Sequence, residues 1–311
     1  MEHLGPEMAE VELELATATS HAEQLVDSAT THLARAGGKR LRPLLTLLAS
    51  QLGSGVNDRV RRAAVAVEVT HLASLYHDDV MDSATLRRGA PAAQALWGNN
   101  VAILTGDLLF ARASQLVASL GPEAVLIHAE TFERLCLGQL HEALGPQAGE
   151  DPVAHYLGVL ADKTGSLIAT SARYGALFSG APADAVAVME SYGEKVGVAF
   201  QLADDVIDLS ADSATSGKTP GTDLKEGVDT MPVLLLRRRG SAGELDEAGE
   251  AILDRLGTDL DDAALARLVA DLRAHPVVED ARAMARAWAD DAVAELDALP
   301  RGEVRDALEE F

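Results

Sequence analysis

Apolar residues recur with a helical period along almost the whole 311-residue chain. They fall at positions i, i+3, i+4 and i+7, which places them on one face of an α-helix. Aromatic residues, which favour strands, make up only 4% of the sequence, and the alternating pattern of a strand is absent. The sequence therefore predicts an all-α fold, a helical bundle whose core consists mainly of Ala, Leu and Val side chains.

Glycine, proline and polar clusters interrupt this pattern and divide it into successive helices. The predicted helices span about 7–36, 43–52, 56–82, 92–119, 122–143, 153–179 and 183–208. A polar loop follows at 210–222, and acidic amphipathic helices occupy the rest of the sequence. No repeat or linker stands out, so residues 1–311 are predicted to form a single domain. Its motif-bearing core spans about 37–232, and its peripheral C-terminal helices span about 240–311.

Acidic residues outnumber basic ones, with 49 Asp and Glu against 26 Lys and Arg and a formal net charge of −23. This balance argues against a nucleic-acid partner or an anionic membrane surface, because both attract basic patches. No unbroken apolar run approaches the roughly 18–20 residues of a transmembrane helix, and the N-terminus lacks the pattern of a signal peptide. The one cysteine, Cys136, fits a reducing compartment. We therefore expect a cytoplasmic protein with no transmembrane segment and no nucleic-acid partner.

The motif Asp-Asp-x-x-Asp occurs twice, each time at the C-terminal end of an apolar predicted helix. Its acids are Asp78, Asp79, Asp82, Asp204, Asp205 and Asp208. Residues four apart lie on one helical face, so the first and last aspartates of each motif point the same way. Their oxygens suit Mg²⁺, which takes one or two carboxylates together with substrate phosphates. One such motif is typical of a solvated helix end, whereas two motifs after buried helices predict facing clusters that hold several metal ions.

Basic residues stand close to the first motif in spite of the acidic average. Residues 37–43, Gly-Gly-Lys-Arg-Leu-Arg-Pro, place three cations beside a glycine pair, just before a predicted helix. Arg87 and Arg88 follow the first motif, and Lys163 and Lys218 add cations on two other segments. Glycines allow close backbone approach, and a helix start adds N–H donors. Metal ions with Lys and Arg side chains are what a diphosphate leaving group needs, so these residues predict a diphosphate site.

In combination these motifs resemble the trans-isoprenyl diphosphate synthases, the polyprenyl synthetase family, from about Gly37 to Pro232. The resemblance covers Gly-Gly-Lys-Arg-x-Arg-Pro, both aspartate motifs in order, Arg-Arg-Gly-x-Pro after the first, Gly106-Asp107, Lys163-Thr164, and Gly217-Lys218 before Thr230-Met231-Pro232. It implies a bundle around a deep central cavity, usually a homodimer, with three Mg²⁺ ions per site when substrate is bound. The implied reaction condenses isopentenyl diphosphate with an allylic diphosphate and releases pyrophosphate, giving an all-trans polyprenyl diphosphate.

The resemblance also assigns roles to the matching residues. Asp78, Asp82 and Asp204 correspond to Mg²⁺ ligands, which Asp79, Asp205 and Asp208 support directly or through water. The residues implied to bind isopentenyl diphosphate are Lys39, Arg42, His71 and Arg88. The residues implied to clamp the allylic diphosphate are Arg87, Lys163 and Lys218. Thr164 and Gln201 match positions that stabilise the allylic cation, so the implied catalytic residues are Lys163, Thr164, Gln201 and Arg87.

One position departs from the family's pattern. Val228 stands where many members carry a lysine, which weakens any claim for a second lysine in the lid. Lys225 is the candidate replacement.

Small residues precede the first aspartate motif by about one helical turn, at Ala73 and Ser74. In the family, bulky aromatic residues at these positions resemble a floor that stops chain growth, so their absence implies a longer tunnel. The first motif also lacks the two-residue insertion of some short-chain members. We therefore predict a long-chain product, hexaprenyl to decaprenyl. Tyr76 would narrow the tunnel if its ring faced inward.

Three alternatives stay open. A short-chain synthase, making farnesyl or geranylgeranyl diphosphate, would share these motifs. A class I terpene cyclase shares the first aspartate motif and the fold, but its second metal motif is normally of an Asn, Ser and Glu type. A regulatory subunit of a heteromeric synthase would bind a partner without turnover and should have eroded metal motifs, whereas both are intact here.

Overall fold

A computed structural model describes residues 4–210, 221, 224–225, 227–258 and 261–311 of the chain. Within these ranges the fold is all-α, as predicted. The β-structure described there is one antiparallel hairpin, in which β1 (Leu86–Arg87) pairs with β2 (Ala90–Pro91). Lys218, a predicted binding residue, lies outside the described residues.

Helices account for most of the described residues. They are α1 (Leu4–Thr19), α2 (Gln24–Thr30), α3 (His32–Arg35), α4 (Leu41–Ala49), α5 (Asp58–Met81), α6 (Ala93–Trp97), α7 (Asn99–Ala118), α8 (Pro122–Leu144), α9 (Pro152–Leu160), α10 (Ser166–Phe178), α11 (Ala183–Ser210), α12 (Met231–Ala242), α13 (Glu247–Leu253), α14 (Asp262–Ala274), α15 (Val277–Glu295) and α16 (Glu303–Glu310). Single 3-10 turns occur at Ser50–Leu52 and Leu296–Ala298, and a π-helical turn, Ala161–Gly165, joins α9 to α10.

Two predicted helices are broken, for local reasons. The pattern at 7–36 becomes α1, α2 and α3. Between α1 and α2, side chains replace helical acceptors: the His21 N–H donates to Asp27 Oδ1 (2.9 Å) and the Glu23 N–H to His21 Nδ1 (3.0 Å). The pattern at 92–119 becomes α6 and α7, since Gly98 takes a φ of 84°, which L side chains rarely adopt.

The described residues divide into two compact units. The first contains the described residues up to Leu135, together with Ser166–Glu194 and Val293–Phe311. The second contains Cys136–Gly165 and the described residues from Lys195 to Ala292. The single domain predicted from the sequence stays a prediction.

Helix α5 is the central helix of the first unit. Asn57 caps its N-terminus by accepting hydrogen bonds from the N–H groups of Arg59 and Val60. The helix packs against α1, α4, α7 and α10, and most of its side chains are buried, among them Val65 and Leu72. Each fully buried Val or Leu side chain contributes about 1.5–3 kcal/mol to the stability of the fold. The first aspartate motif therefore lies at the end of a helix that is held in place by core packing.

The core of the second unit forms around the C-terminal part of α11. Val198, Leu202 and Val206 recur every four residues on this helix and are buried. Helices α12 to α15 contribute to the same core, for example through Met231 and Leu272. The second aspartate motif therefore also stands on a packed helix.

Helix α7 is the one helix of the described ranges that is long and apolar enough to cross a membrane. Its mean hydropathy reaches 1.4 over 18 residues, of which 33% are buried inside the structure. The core helix of a soluble protein passes the same test, and α7 packs against α5. The predicted absence of a transmembrane segment stays a prediction.

Candidate active site

The three acids of the first motif lie in different surroundings. Asp82 is exposed and Asp78 is half-buried, whereas the side chain of Asp79 is completely buried. Asp79 Oδ1 accepts hydrogen bonds from Arg87 Nε (2.6 Å) and Nη2 (2.5 Å), while its Oδ2 has no hydrogen-bond partner although it is buried. Burial raises the pKa of Asp79, and the Arg87 guanidinium opposes this shift. Asp79 therefore holds the arginine that follows the motif.

The loop after this motif is held in a defined shape. Gln94 Nε2 donates to the backbone oxygens of Asp79 (2.7 Å) and Ala84 (2.5 Å), so α6 ties the loop to the end of α5. Arg88 has a φ of 54°, an uncommon value for a residue with a side chain. The loop thereby presents Arg87 to Asp79 and Arg88 to the segment before α4.

Arg88 belongs to a basic cluster of the first unit, which we define as Lys39, Arg42, His71 and Arg88. Its Nη1 donates to the carbonyl oxygens of Leu33 (3.1 Å) and Gly37. A Cβ on Gly38 would lie 2.9 Å from Arg88 Cζ, so only glycine allows this approach without displacing the guanidinium. The glycine pair predicted as an anion-binding element thus accommodates an arginine side chain.

Arg40 has a structural role beside this cluster. Its guanidinium pairs with Glu12 Oε1 of α1 (2.6 Å) and with the buried Glu68 Oε1 of α5 (3.0 Å), and it donates to the Ala34 oxygen (2.9 Å). Lys39, the residue before it, is exposed. The two adjacent cations therefore differ, since Arg40 joins helices and Lys39 faces the surface.

Positive charge is in excess around Arg42 and His71. Arg42 Nε is buried without a hydrogen-bond partner, and burial followed by the charge of Arg88 lowers the pKa of Arg42, against the effect of Glu68. Burial, and then the charges of the four surrounding arginines, lowers the pKa of His71 well below its ordinary value. His71 is therefore neutral near pH 7. A guanidinium with one buried, unpartnered N–H beside a neutral imidazole is an arrangement that an anion would complete.

The predicted product-length residues have the following positions. Ala73 is fully buried, and Ser74 is half-buried with its hydroxyl donating to the His71 oxygen (2.9 Å). Tyr76 is also fully buried: its hydroxyl donates to the Ala29 oxygen (2.5 Å) and accepts from the Leu33 N–H (3.3 Å). Tyr76 thus fastens residues 29–33 to α5.

In the second motif, within the second unit, the middle aspartate is again more buried than the first and last. Asp204 and Asp208 are half-buried, whereas Asp205 is buried and its Oδ2 accepts from the Tyr156 hydroxyl (3.0 Å) and from the Met231 N–H (3.2 Å). Asp205 therefore connects α11 to α9 and to the start of α12. The described ranges contain no group of three His, Cys, Asp or Glu side chains placed to hold a metal ion, so the six aspartates stay predicted ligands.

The π-helical turn brings three predicted residues of the second unit together. Lys163 Nζ lies 2.5 Å from Glu142 Oε2 of α8, and Thr164 Oγ1 donates to Gln201 Oε1 of α11 (3.4 Å). A π-turn inserts one residue into a helix and often occurs at a functional site. Sequence periodicity predicted one continuous helix here, because a single inserted residue shifts the pattern by only one position.

The candidate lid residues that are described lie at the surface. Lys225 Nζ is 3.4 Å from Asp262 Oδ1, and both side chains are exposed. Val228 is 40% exposed. The replacement of the missing lid lysine by Lys225 stays a prediction.

Comparison with known proteins decides the family. The sequence model described as Polyprenyl synthetase matches residues 23–266. The nonaprenyl diphosphate synthase of Mycobacterium tuberculosis is 45% identical over 302 residues, which cover 97% of this chain and 89% of that protein. The chain belongs to the polyprenyl synthetase family.

Two further relatives of this polyprenyl synthetase are similar over its whole length. Heptaprenyl diphosphate synthase component 2 of Geobacillus stearothermophilus is 37% identical over 99% of this chain and 94% of its own. The crystal structure of geranylgeranyl pyrophosphate synthase from Corynebacterium glutamicum, complexed with calcium and isoprenyl diphosphate, has a TM-score of 0.86 and 41% identity, covering 99% of this chain and 94% of its own. Family membership confirms the predicted isoprenoid synthase fold and the prediction that the protein is a prenyltransferase.

Several residues of the site escaped sequence reasoning. Glu68, Gln94, Tyr156 and Glu142 each hold a predicted functional residue or the loop that carries one. Partners far apart in sequence leave no local pattern, and Tyr156 is 49 positions from Asp205. The available signal was weaker: Glu68 is a polar residue in the interior of an apolar predicted helix, where a buried polar side chain needs a partner.

Proposed function

We propose that this polyprenyl synthetase catalyses the Mg²⁺-dependent head-to-tail condensation of isopentenyl diphosphate with an allylic diphosphate, releasing pyrophosphate and making a long all-trans polyprenyl diphosphate. The observation that carries the proposal is the excess of positive charge around Arg42, Arg88 and the neutral His71, with Arg42 Nε buried and unpartnered, in a chain of net charge −23. A local positive site in an acidic protein favours a small polyanion over a long one.

The basic cluster is proposed to bind isopentenyl diphosphate. Lys39, Arg42 and Arg88 supply positive charge, and a neutral His71 donates one N–H to a diphosphate oxygen. Because Arg42 and Arg88 are half-buried, their attraction for the diphosphate is less screened than that of exposed cations. The neutral His71 lacks the acidic second proton of an imidazolium near pH 7, so a binding role is favoured over acid catalysis.

Arg87, Lys163 and Lys218 are proposed to bind the allylic diphosphate. The half-buried Asp78, Asp204 and Asp208 and the exposed Asp82 offer carboxylate oxygens, and this donor set fits a hard cation such as Mg²⁺. Bound Mg²⁺, with three ions per site, supplies charge that stabilises the departing pyrophosphate. Thr164 and Gln201 are proposed to place oxygen dipoles near the allylic cation, which apolar walls protect from water.

A long-chain product, hexaprenyl to decaprenyl, is proposed from Ala73 and Ser74, which are too small to form a floor. The hydrogen bonds of Tyr76 to residues 29–33 support this, since they occupy its hydroxyl within the core. The nonaprenyl synthase relative favours a long product, and the geranylgeranyl synthase structure favours the short-chain alternative.

A cytoplasmic homodimer is proposed as the working form. Exposed apolar side chains on α7 and α8, with Leu104 65% and Leu126 60% exposed, support a surface that a second copy covers. The single cysteine supports a reducing compartment. Sedimentation of the wild-type protein and of Leu104→Glu tests the dimer. We expect a dimer mass for wild type and a lower mass for the variant, and the same mass for the two proteins would refute a role for this surface.

The decisive experiment is a product-length assay. Purified protein is incubated with radiolabelled isopentenyl diphosphate, farnesyl diphosphate and Mg²⁺, and the dephosphorylated products are separated by thin-layer chromatography. We expect chains of six to ten isoprene units, and no products once EDTA removes the metal. Products that stop at geranylgeranyl diphosphate would establish the short-chain alternative.

A terpene cyclase and a regulatory subunit would each give a different result in the same assay. Release of pyrophosphate without any need for isopentenyl diphosphate would indicate a terpene cyclase. A lack of turnover that a second polypeptide restores would indicate a subunit of a heteromeric synthase, which one relative's name, component 2, makes worth testing.

A further inference from the structure

Two glycines approach the π-helical turn from neighbouring helices of the second unit. The turn, Ala161–Gly165, carries Lys163 and Thr164, to which the proposed function assigns roles at the allylic substrate. A π-turn is less regular than an α-helix and depends on its surroundings for its exact shape. The question is therefore which residues fix it.

Gly138 of α8 lies directly against the turn. A Cβ at this position would lie 2.9 Å from Asp162 Cβ, from Lys163 Cγ and from the Lys163 backbone N. Ordinary carbon contacts are about 3.5–4.0 Å, so even one methyl group would displace the turn or α8. Glu142, one helical turn further along α8, lies 2.5 Å from Lys163 Nζ.

Gly197 of α11 approaches the turn in the same way. A Cβ there would lie 2.6 Å from Gly165 Cα and 3.0 Å from Gly165 N. Backbone atoms cannot move aside as the end of a flexible side chain can. One helical turn later, Gln201 Oε1 accepts the hydrogen bond of Thr164. Each helix therefore offers a glycine that permits close approach and, four residues on, a polar side chain that holds a functional residue.

We propose that Gly138 and Gly197 are positioning residues that set the π-turn, and that Glu142 orients Lys163 from the same helix as Gly138. The proposal rests on the proposed function for its catalytic consequence, although the packing stands without it. Displacing reacting groups by about 1 Å can cost on the order of 100-fold in rate. Isopentenyl diphosphate is proposed to bind to residues of the first unit, so its KM should be insensitive to the turn.

The test compares alanine variants of four helical glycines. Gly138→Ala and Gly197→Ala add a methyl group at the turn. Gly193→Ala adds one on α11 in the first unit, where it would lie 2.7 Å from Ala169 Cα. Gly158→Ala, on α9, meets no atom within 4 Å. We expect kcat to fall about 10- to 100-fold in the first two, with the KM for isopentenyl diphosphate within about twofold of wild type.

The two controls separate positioning from general loss of stability. Gly193→Ala should lower the melting temperature as much as Gly138→Ala does but keep kcat within about threefold. Gly158→Ala should leave kcat unchanged and raise the melting temperature slightly, because alanine favours a helix more than glycine does. Equal losses of kcat in Gly193→Ala and Gly138→Ala, or an unchanged kcat in both turn variants, would overturn the proposal.

Glu142→Gln changes no packing and keeps the test possible if the alanine variants do not fold. It should lower kcat with an unchanged melting temperature, and an unaltered kcat would count against the proposal.

A second measurement does not depend on activity. Hydrogen exchange of the amides in residues 161–165 should accelerate in Gly138→Ala and Gly197→Ala and stay at the wild-type rate in Gly193→Ala. Unchanged exchange in the two turn variants would refute the proposal even if the enzyme were inactive. An inactive wild-type enzyme would instead refute the proposed function, and the exchange comparison would still decide the role of the glycines.

Discussion

Removing the partner of the buried Asp79 gives the sharpest test of the first motif's structure. The carboxylate is completely buried, the Arg87 side chain is 31% exposed, and the closest N–O distance between them is 2.5 Å. Arg87→Met keeps the length and apolar part of the side chain but removes its charge and donors. We expect this substitution to destabilise the fold through Asp79, because the carboxylate would be left without a compensating charge.

Two arguments limit how far this substitution can lower the free energy of unfolding. Two unit charges about 4 Å apart interact by about 4 kcal/mol at an effective dielectric constant of 20, and the partial exposure of Arg87 reduces this value. Asp79 can also escape its charge by binding a proton. Protonating a carboxyl of ordinary pKa near 3.9 at pH 7 costs about 4 kcal/mol, so the unpaired charge cannot destabilise the fold by more than this amount. We therefore expect the free energy of unfolding to fall by about 2–4 kcal/mol at pH 7.

The pH dependence identifies the group responsible. In Arg87→Met the folded-state pKa of Asp79 rises further above its unfolded value, so the folded state binds a proton that the unfolded state releases. The free energy of unfolding of the variant, compared with that of wild type, is then highest at low pH and falls as the pH rises, by up to about 1.4 kcal/mol per pH unit. The deficit of the variant should therefore shrink between pH 7 and pH 5.

Urea unfolding of four proteins provides the assay: wild type, Arg87→Met, Asp79→Asn and the double variant. Asp79→Asn should cost less than Arg87→Met, since the remaining arginine can reach water. The double variant should be more stable than the sum of the single effects predicts, with a coupling of about 1–3 kcal/mol. Additive effects, or a deficit of Arg87→Met that is independent of pH, would refute the reasoning.

Three further predictions concern single side chains. The pKa of His71 is lowered in the folded state, so stability should fall as the pH drops below about 6.5, and His71→Gln should remove about 1 kcal/mol of the loss between pH 7 and pH 5.5, measured by urea unfolding at each pH. Tyr156→Phe removes a donor to the buried Asp205 and should cost about 1–2 kcal/mol in thermal unfolding. Tyr76→Phe should cost about 1 kcal/mol and leave the product length unchanged in the chromatographic assay, whereas a longer product would place its hydroxyl in the tunnel.

The helical class was accessible from the sequence because burial of one face imposes a period that apolar residues repeat. The interruptions were not accessible to the same degree. The break near Ser20 depends on the acceptors Asp27 and His21, whose side chains occur equally well inside helices. Gly98 resembles any other helical glycine until its φ is known.

The site divides in the same way between local and distant information. Lys163, Thr164 and the two aspartate motifs are recognisable because their spacing along the chain carries the chemistry. Their supports are not, since Glu142 is 21 positions from Lys163 and becomes its neighbour only after folding. Arg40 was indistinguishable from Lys39 in sequence, and only the positions of Glu12 and Glu68 separate an arginine that joins helices from a surface cation.

Helix geometry explains why the middle acid of each motif is buried while its neighbours stay accessible. Each residue turns the helix by about 100°, so positions i and i+4 differ by only about 40°, whereas position i+1 points about 100° away from i. On a helix packed along one side, that rotation carries Asp79 and Asp205 into the protein. Their partners come from segments that follow the motifs, Arg87 after the first and the Met231 N–H after the second. One motif thus presents two acids on a face and uses the third to fasten the chain that leaves the helix.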